Sequence, residues 1–356
     1  MNPETLASYS NLSVYAAMLV VMLAMLAFVV DLAQTRVRTL HDATVADATA
    51  ADGSEAPAPV LANASSGASV GARPSSARAA SDPTNPADPF YPGGPVDDGM
   101  AAPVRRQWAG MGLSLFSLGT LLMLAAVVLR GLSVMRAPWG NMYEFLLTGT
   151  MVIALVFTIL AMTRDLRWMG SFVSAVVLLM LGMCLVVYTD ASQLMPALKS
   201  YWLVIHVSVA FVSTALFTIG AIAAALFLFK DASESLGVVP TKGLKGKLYA
   251  ATPSAKALDR FSYSLHIASF PLWTFTLIAG AIWAENAWGR YWGWDPKEVW
   301  TFVIWVVYAA YLHARATTGW KIRSATWIAL AGYACILINF FVVNKFFVGK
   351  HSYSGM

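Results

Sequence analysis

Charged residues are scarce in this sequence. Asp, Glu, Lys and Arg make up only 12% of its 356 residues, whereas 58% are hydrophobic. A soluble domain would carry roughly twice that charged fraction. The scarcity excludes an ordinary soluble protein, and a mean hydropathy of +0.61 with several apolar runs of about 20 residues predicts a polytopic membrane protein.

Cysteine is also scarce. The only two, Cys184 and Cys335, both lie in apolar segments. This excludes a disulfide framework, a C-x-x-C thiol-redox motif and a C-x-x-C-H site for covalently attached haem. We interpret both residues as small apolar packing groups.

The apolar segments predict an all-α fold with about eight transmembrane helices. Lipid cannot satisfy exposed backbone groups, and the runs are too long for barrel strands, so helices are the only spanning structure that fits. The predicted spans lie near 12–31, 108–130, 143–163, 170–189, 203–229, 264–285, 299–318 and 325–347.

The distribution of basic residues predicts the orientation. The 24 Lys and Arg exceed the 19 Asp and Glu, but most of them lie in alternate loops beside the spans. This is the pattern of cytoplasmic loops rather than of a nucleic-acid-binding surface, so no nucleic-acid partner is expected. It places the N- and C-termini, and the external loop before the seventh span, outside.

Three regions are predicted. Residues 1–35 form an N-terminal transmembrane helix, and residues 108–356 form the main membrane domain. Between them, residues 36–107 are rich in Ala, Pro and Ser. Such a segment cannot bury enough apolar area to offset its chain entropy, so we interpret it as a disordered cytoplasmic linker.

The external loop is rich in tryptophan. Five of the 13 tryptophans fall within 18 residues, and glycines between them allow a flat ligand to approach the backbone. A helical segment would place Trp288 and Trp292 on one face. A general aromatic belt is the alternative, but its tryptophans would be scattered over many helix ends. The clustered residues are Trp283, Trp288, Trp292, Trp294 and Trp300, with Gly289 and Gly293.

A capping box follows the tryptophans. Asp295 at the N-cap, Pro296 at the first helical position and Glu298 two residues further on predict the start of the seventh span. Arg290 and Lys297 are candidates to pair with the propionates of a bound haem, and solvated charges are an equal alternative.

The five histidines are His41, His206, His266, His313 and His351. Imidazole near a bilayer is costly without a partner or a task. His206 and His351 are predicted at the level of the tryptophan loop, where two imidazoles would give a six-coordinate haem iron. Interfacial hydrogen bonding is the alternative. No specific role is expected for His41, in the linker.

Two further histidines are predicted near the inner side of the membrane. His313 lies roughly 20 Å below the outer surface at 1.5 Å per residue, and His266 lies near the inner start of the sixth span, at a similar depth. Either would serve an inner haem position, and from the residues alone they rank nearly equal. A hydrogen-bonded or snorkelling imidazole is the alternative for both.

The loop carries a family resemblance. Trp288 to Glu298 matches the pattern W-G-x-x-W-x-W-D-x-x-E in full, the tryptophan-rich (WWD) signature of haem-handling proteins. With Trp-Leu-Val-Ile-His206-Val, Tyr-Leu-His313-Ala-Arg, Gly-Lys-His351-Ser-Tyr and Asn141-Met-Tyr-Glu144, the chain most resembles the CcsA/ResC-type cytochrome c biogenesis proteins of System II, named CcsB in some bacteria. The resemblance is strong over 200–354, looser over 108–200 and absent over the linker.

The resemblance implies roles for particular residues. His206 and His351 match the external histidine pair that ligates an outward-facing haem, and His313 matches an intramembrane ligand of haem in transit. His266 matches no ligand of the family. The loop residues expected to hold the porphyrin are Trp288, Gly289, Trp292, Trp294, Asp295 and Glu298.

The resemblance also implies a function. Haem b would cross the bacterial plasma membrane as a substrate and be presented for thioether attachment to the C-x-x-C-H of an apocytochrome c outside. The chain would act as a subunit of a holocytochrome c synthase. Its partners would be a ResB/Ccs1-like membrane protein, the apocytochrome, membrane lipid and, indirectly, thioredoxin-like proteins that keep the thiols reduced.

Three other functions compete with this one. A CcmC-type haem exporter shares the tryptophan signature but hands haem to a chaperone. A b-type electron-transfer subunit would use bis-His haem, although such subunits usually pair histidines on facing helices within the bilayer. A transporter with an aromatic belt and no haem is the least favoured.

Overall fold

The computed structural model describes residues 2–35, 107–192, 198–237 and 239–351. The described residues form helices and connecting loops without strands, which confirms the all-α prediction. The disordered linker predicted over 36–107, apart from Gln107, lies outside the described residues, as does His41. Eight helices are long and apolar enough to cross a membrane, as the sequence predicts.

The helices follow the predicted spans closely. Six have the bounds α1 Pro3–Gln34, α2 Gln107–Val134, α3 Met142–Thr163, α4 Gly170–Val186, α5 Tyr201–Ser235 and α6 Gly243–Ala251. The others are α7 Ala255–Trp288, α8 Pro296–Ala316 and α9 Ile322–Leu337, which continues through a π-helical segment, Ile338–Val343, into α10 Asn344–Phe346. The short α6 is the one helix among α1–α9 that the hydropathy pattern did not predict.

Polar side chains define where several spans begin. The side-chain oxygens of Asn141, Ser200, Ser254 and Asp295 accept hydrogen bonds from backbone amides in the first turns of α3, α5, α7 and α8. N-caps of this kind satisfy amide groups that the helix itself leaves without partners. The capping box predicted at Asp295 is therefore confirmed.

Two packed groups build the bundle. In the first, α1 to α4 and the middle of α5 enclose a core that includes Phe116, Phe157 and Leu181. In the second, α5, α7, α8 and α9 pack around Phe217, Trp273 and Tyr308. Since α5 belongs to both, it joins them, and its N-terminal end carries His206 to the same level as the end of α7 and the start of α8.

One span begins earlier than predicted, and this moves a histidine. α7 starts at Ala255 rather than near 264. His266 therefore lies eleven residues into the helix, about 17 Å along its axis, and its depth in the membrane stays a prediction. His313, by contrast, lies 17 residues beyond the start of α8, about 26 Å along its axis, in the last turn of the helix.

Candidate functional site

His206 is fixed in its orientation by a neighbouring helix. It lies in the second turn of α5, and its Nδ1 is 2.8 Å from the carbonyl oxygen of Thr276 on α7. A carbonyl only accepts hydrogen bonds, so Nδ1 carries the proton, and Nε2 is the nitrogen through which this imidazole would bind a metal. A Cβ at Gly280 would lie 2.8 Å from the His206 ring, so this packing requires glycine.

His351 is held by a buried carboxylate. Its Nδ1 lies 2.7 Å from Oδ2 of Asp295, whose side chain is 3% exposed. Burial of Asp295 disfavours its charge, but hydrogen bonds from His351 and from the backbone amides of Lys350 and Lys297 outweigh that effect and lower its pKa. A carboxylate behind the Nδ1 of a metal-binding histidine orients the ring and strengthens Nε2 as a ligand.

The capping box also closes the tryptophan loop. The Oε2 atom of Glu298 accepts hydrogen bonds from the amides of Gly293, at 2.8 Å, and Asp295, at 3.0 Å. Asp295 in turn accepts from the amides of Lys297 and Lys350. The same two carboxylates therefore start α8, hold the end of the loop and position His351.

Trp283 connects the two histidines. Its ring is nearly parallel to that of His206, at 11° and 6.2 Å between centroids, and its centroid lies 5.6 Å from that of His351. Trp288 lies 4.9 Å from Trp283 and 5.0 Å from His351. Sequence reasoning counted Trp283 only as a member of the tryptophan cluster. The signal it overlooked is that Trp283 lies seven residues after Thr276, which is two helical turns along one face of α7.

The rest of the loop is not helical. α7 ends at Trp288, where Gly289 adopts a left-handed φ of 70°, so the helical segment that would place Trp288 and Trp292 on one face does not form. Trp294 also has a positive φ, 59°, and is 76% exposed, with its ring 5.8 Å from that of Trp292. A left-handed backbone is costly for a bulky residue and is found where the surrounding structure enforces it.

The two loop glycines differ in the room they leave for a flat ligand. Gly289 ends α7 and has open space around its Cα, and the face of Gly293 is covered by the guanidinium of Arg290. Gly289 therefore serves the turn. Arg290 packs on the loop itself.

Two adjoining cavities meet at the histidines. The loop cavity, whose volume of about 420 Å³ includes space open to solvent, is lined by Trp288, Tyr291, Trp292 and Glu298. The large cavity, whose volume of about 900 Å³ also includes open space, extends toward Trp139, Asn141, Phe145 and Asn339. Both share the walls His206, Thr276, Trp283, Lys297, Thr301 and His351.

This site fits a metal that arrives with its own ligands. Among the described residues, no three His, Cys, Asp or Glu side chains group as a metal cage. Two imidazoles beside largely apolar, aromatic walls are the kinds of group that bind a metalloporphyrin. Of the predicted site residues, His206, His351, Trp288, Trp292 and Glu298 line this site, Asp295 supports it, and Gly289 and Trp294 lie outside its walls.

The other two histidines lie elsewhere. His313, at the opposite end of α8, is exposed on the outer surface of the bundle. His266 is fully buried among Phe217, Tyr308 and Tyr311, with its Nδ1 3.5 Å from the Ser262 hydroxyl. The structure therefore separates them: one presents its ring outward, and the other is enclosed by aromatic side chains.

Comparison with known proteins gives consistent results. Residues 139–351 match the family model described as cytochrome C assembly protein. The chain is 34% identical over 262 residues to a cytochrome c biogenesis protein CcsA of Prochlorococcus marinus strain SARG, which covers 67% of this chain and 82% of the relative. It is 35% identical over 259 residues to the CcsA of Synechococcus sp. strain RCC307 (65% and 81%) and 35% over 290 residues to that of Prochlorococcus marinus strain NATL2A (71% and 90%).

Proposed function

This chain belongs to the cytochrome c assembly protein family and acts in cytochrome c biogenesis as a multi-pass membrane protein, and on that premise we propose that it presents haem b on the outer face of the membrane for covalent attachment to apocytochrome c. The observation that carries the proposal is the pair His206 and His351. Each ring has its Nδ1 engaged by a fixed acceptor, and both line the same two cavities.

The orientation follows from charge. Lys and Arg concentrate in the loops at the end of the bundle opposite to these histidines, as cytoplasmic loops do. The end that carries the tryptophan loop is therefore proposed to face outside, where an apocytochrome arrives. Substrate haem would be held through Nε2 of both histidines, against the aromatic walls formed by Trp283 and Trp288.

The attachment reaction needs positioning rather than a strong acid or base. Each cysteine thiol of C-x-x-C-H adds across one vinyl double bond: a carbon–sulfur bond forms, and the thiol proton ends on the other vinyl carbon. No electrons are lost or gained, provided the thiols arrive reduced. The histidine of the motif would replace His206 or His351 on the iron. Alignment of the two reactants in one cavity would supply most of the rate.

A partner is proposed at the opposite end of α8. His313 is exposed on that helix, and a bare imidazole facing lipid is costly. We propose that a ResB/Ccs1-like membrane protein of System II covers this surface and that His313 is one ligand of haem on its way to the outer site. The nearby residue Arg315 forms an ion pair with Asp259 of α7 at 2.6 Å, which fixes the end of α8 beside His313.

The absorption spectrum of the protein, purified in detergent with its ResB-like partner, tests the outer site. Wild type is expected to show low-spin bis-His haem. His206→Gly is expected to retain several-fold less haem, and free imidazole should restore the low-spin spectrum because it fills the space of the lost ring. The control is His266→Gln, which lies outside both cavities. Wild-type protein purified without haem from haem-replete cells would contradict the proposal.

Replacement of His313 distinguishes the delivery of haem to the outer site from the binding of haem at that site. His313→Ala is expected to reduce cytochrome c maturation in cells several-fold, because haem no longer reaches the outer site efficiently. The same protein, given haem directly in detergent, should bind it within about twofold of wild type, since His313 lies about 26 Å along α8 from the start of the helix. Equal losses in cells and in detergent would show that His313 acts on the whole fold instead.

A further inference from the structure

The large cavity is lined by side chains whose hydrogen-bond donors have no partner among the described residues. Asn141 is 7% exposed, and its Nδ2 has no hydrogen-bond partner among the described residues. Its Oδ1 accepts from the amide of Glu144 at 2.9 Å, which fixes the amide orientation and leaves Nδ2 as a donor. The indole Nε1 of Trp139 is also buried without a partner. Buried polar atoms usually have a protein or water partner, so these donors are available to a ligand or to ordered water.

Lys297 adds a positive charge to the same cavity. Its ammonium donates one hydrogen bond, to the carbonyl oxygen of Asn339 at 2.8 Å, and it forms no ion pair among the described residues. It also lies in the first turn of α8, where the helix dipole disfavours a cation. Asp295, two residues earlier, supplies some negative charge, and an anionic ligand in the cavity would offset these costs further.

Acidic residues are distributed unequally between the two cavities. Glu298 lines the loop cavity, whereas no Asp or Glu lines the described wall of the large cavity. The large cavity therefore offers donors and a cation without a competing carboxylate. The loop cavity shares Lys297 but adds aromatic rings and the carboxylate of Glu298.

We propose that the large cavity is a carboxylate site, in which Lys297, Asn141 and Trp139 bind the propionates of haem and thereby turn its vinyl edge toward the tryptophan loop. This inference rests on the proposed function. Propionates and vinyls lie on roughly opposite edges of haem b, so anchoring one edge beside Lys297 directs the other into the loop cavity. The loop cavity is where an apocytochrome would meet the vinyl groups.

The test compares ferric haem with its dimethyl ester, which has the same ring and vinyls but no free carboxylates. Both are titrated into haem-depleted protein and followed by the low-spin spectrum. Wild type is expected to bind haem about tenfold more tightly than the ester, the range of one charge-assisted hydrogen bond. Lys297→Met is expected to lose most of this preference, and Lys297→Arg to keep much of it.

Two further variants sharpen the comparison. Asn141→Asp keeps the N-cap of α3 but replaces the donor with an anion, so it should weaken binding of haem and leave binding of the ester nearly unchanged. Lys345→Met removes an exposed lysine at the same end of the molecule that lines neither cavity, and it should behave as wild type.

The outcomes separate the two proposals. A bis-His spectrum with both porphyrins, together with an unchanged preference for haem in Lys297→Met and Asn141→Asp, would overturn the carboxylate site and leave the proposed function standing. Absence of a bis-His spectrum with either porphyrin in wild-type protein would overturn both. A loss of preference confined to the cavity variants supports the site.

Discussion

Replacement of Glu144 by alanine is expected to destabilise the protein by about 3–5 kcal/mol, the cost of removing one partner from a buried ion pair. Glu144 is fully buried and accepts from Arg130 Nε at 3.1 Å, Arg136 Nη1 at 2.8 Å and the amide of Gly140 at 2.9 Å. Without it, two guanidinium groups remain buried beside each other with no carboxylate to balance their charge.

Thermal unfolding in detergent measures this effect. The matched control is Asp165→Ala, which breaks the more exposed pair of Asp165 with Arg167, where a change of 0–1 kcal/mol is expected. Glu144→Ala should also weaken haem binding, because Gly140 connects this cluster to Trp139 and Asn141 in the wall of the large cavity. Similar shifts in the two variants would show that the cluster around Glu144 is solvated and weak.

The variant Asp295→Asn is expected to bind haem about 10- to 100-fold more weakly, the usual effect of changing the group behind a metal-binding histidine. Asparagine is a good N-cap and keeps a side-chain oxygen for the first turn of α8. The start of α8 should therefore be kept, whereas the ring of His351 loses the charged acceptor that orients it.

Haem titration and thermal unfolding of Asp295→Asn together check this prediction. Glu285→Gln, an acidic residue of α7 that lines neither cavity, serves as the control. Because the pKa of Asp295 is lowered in the folded protein, its contribution to stability is present above the ordinary carboxyl pKa. This contribution to stability is lost as the pH falls through the lowered pKa. Asp295→Asn has no carboxyl group at this position, so its stability should not show that loss. Unchanged haem affinity would show that Asp295 acts only as the N-cap of α8.

Hydropathy predicted the membrane helices well and their polar ends poorly. All eight spans are present, because a bilayer demands about 20 apolar residues for each helix. The error at α7 arose because its first turns contain Lys256, Asp259 and Arg260, which belong to no apolar run. The structure stabilises this polar extension by pairing Asp259 with Arg315 of α8, a contact between residues 56 positions apart.

The site was predicted in part. The spacing of histidines and tryptophans predicted that His206, His351, Trp288 and Trp292 would line one site, and the described cavities bring them together. The ring nitrogens that would face a metal were not predictable, because they depend on Thr276 and Asp295, which other elements supply. Their roles as haem ligands stay a prediction until a spectrum tests them.

The sequence by itself determined the class of the protein, its spans, the start of α8 and the level at which His206 and His351 lie, because all of these depend on local composition and short-range spacing. Only the tertiary structure decided that Trp283 connects those histidines, that His266 is enclosed, and that Trp139, Asn141 and Lys297 share one cavity. Those relations depend on packing between helices distant in the chain, which no local pattern encodes.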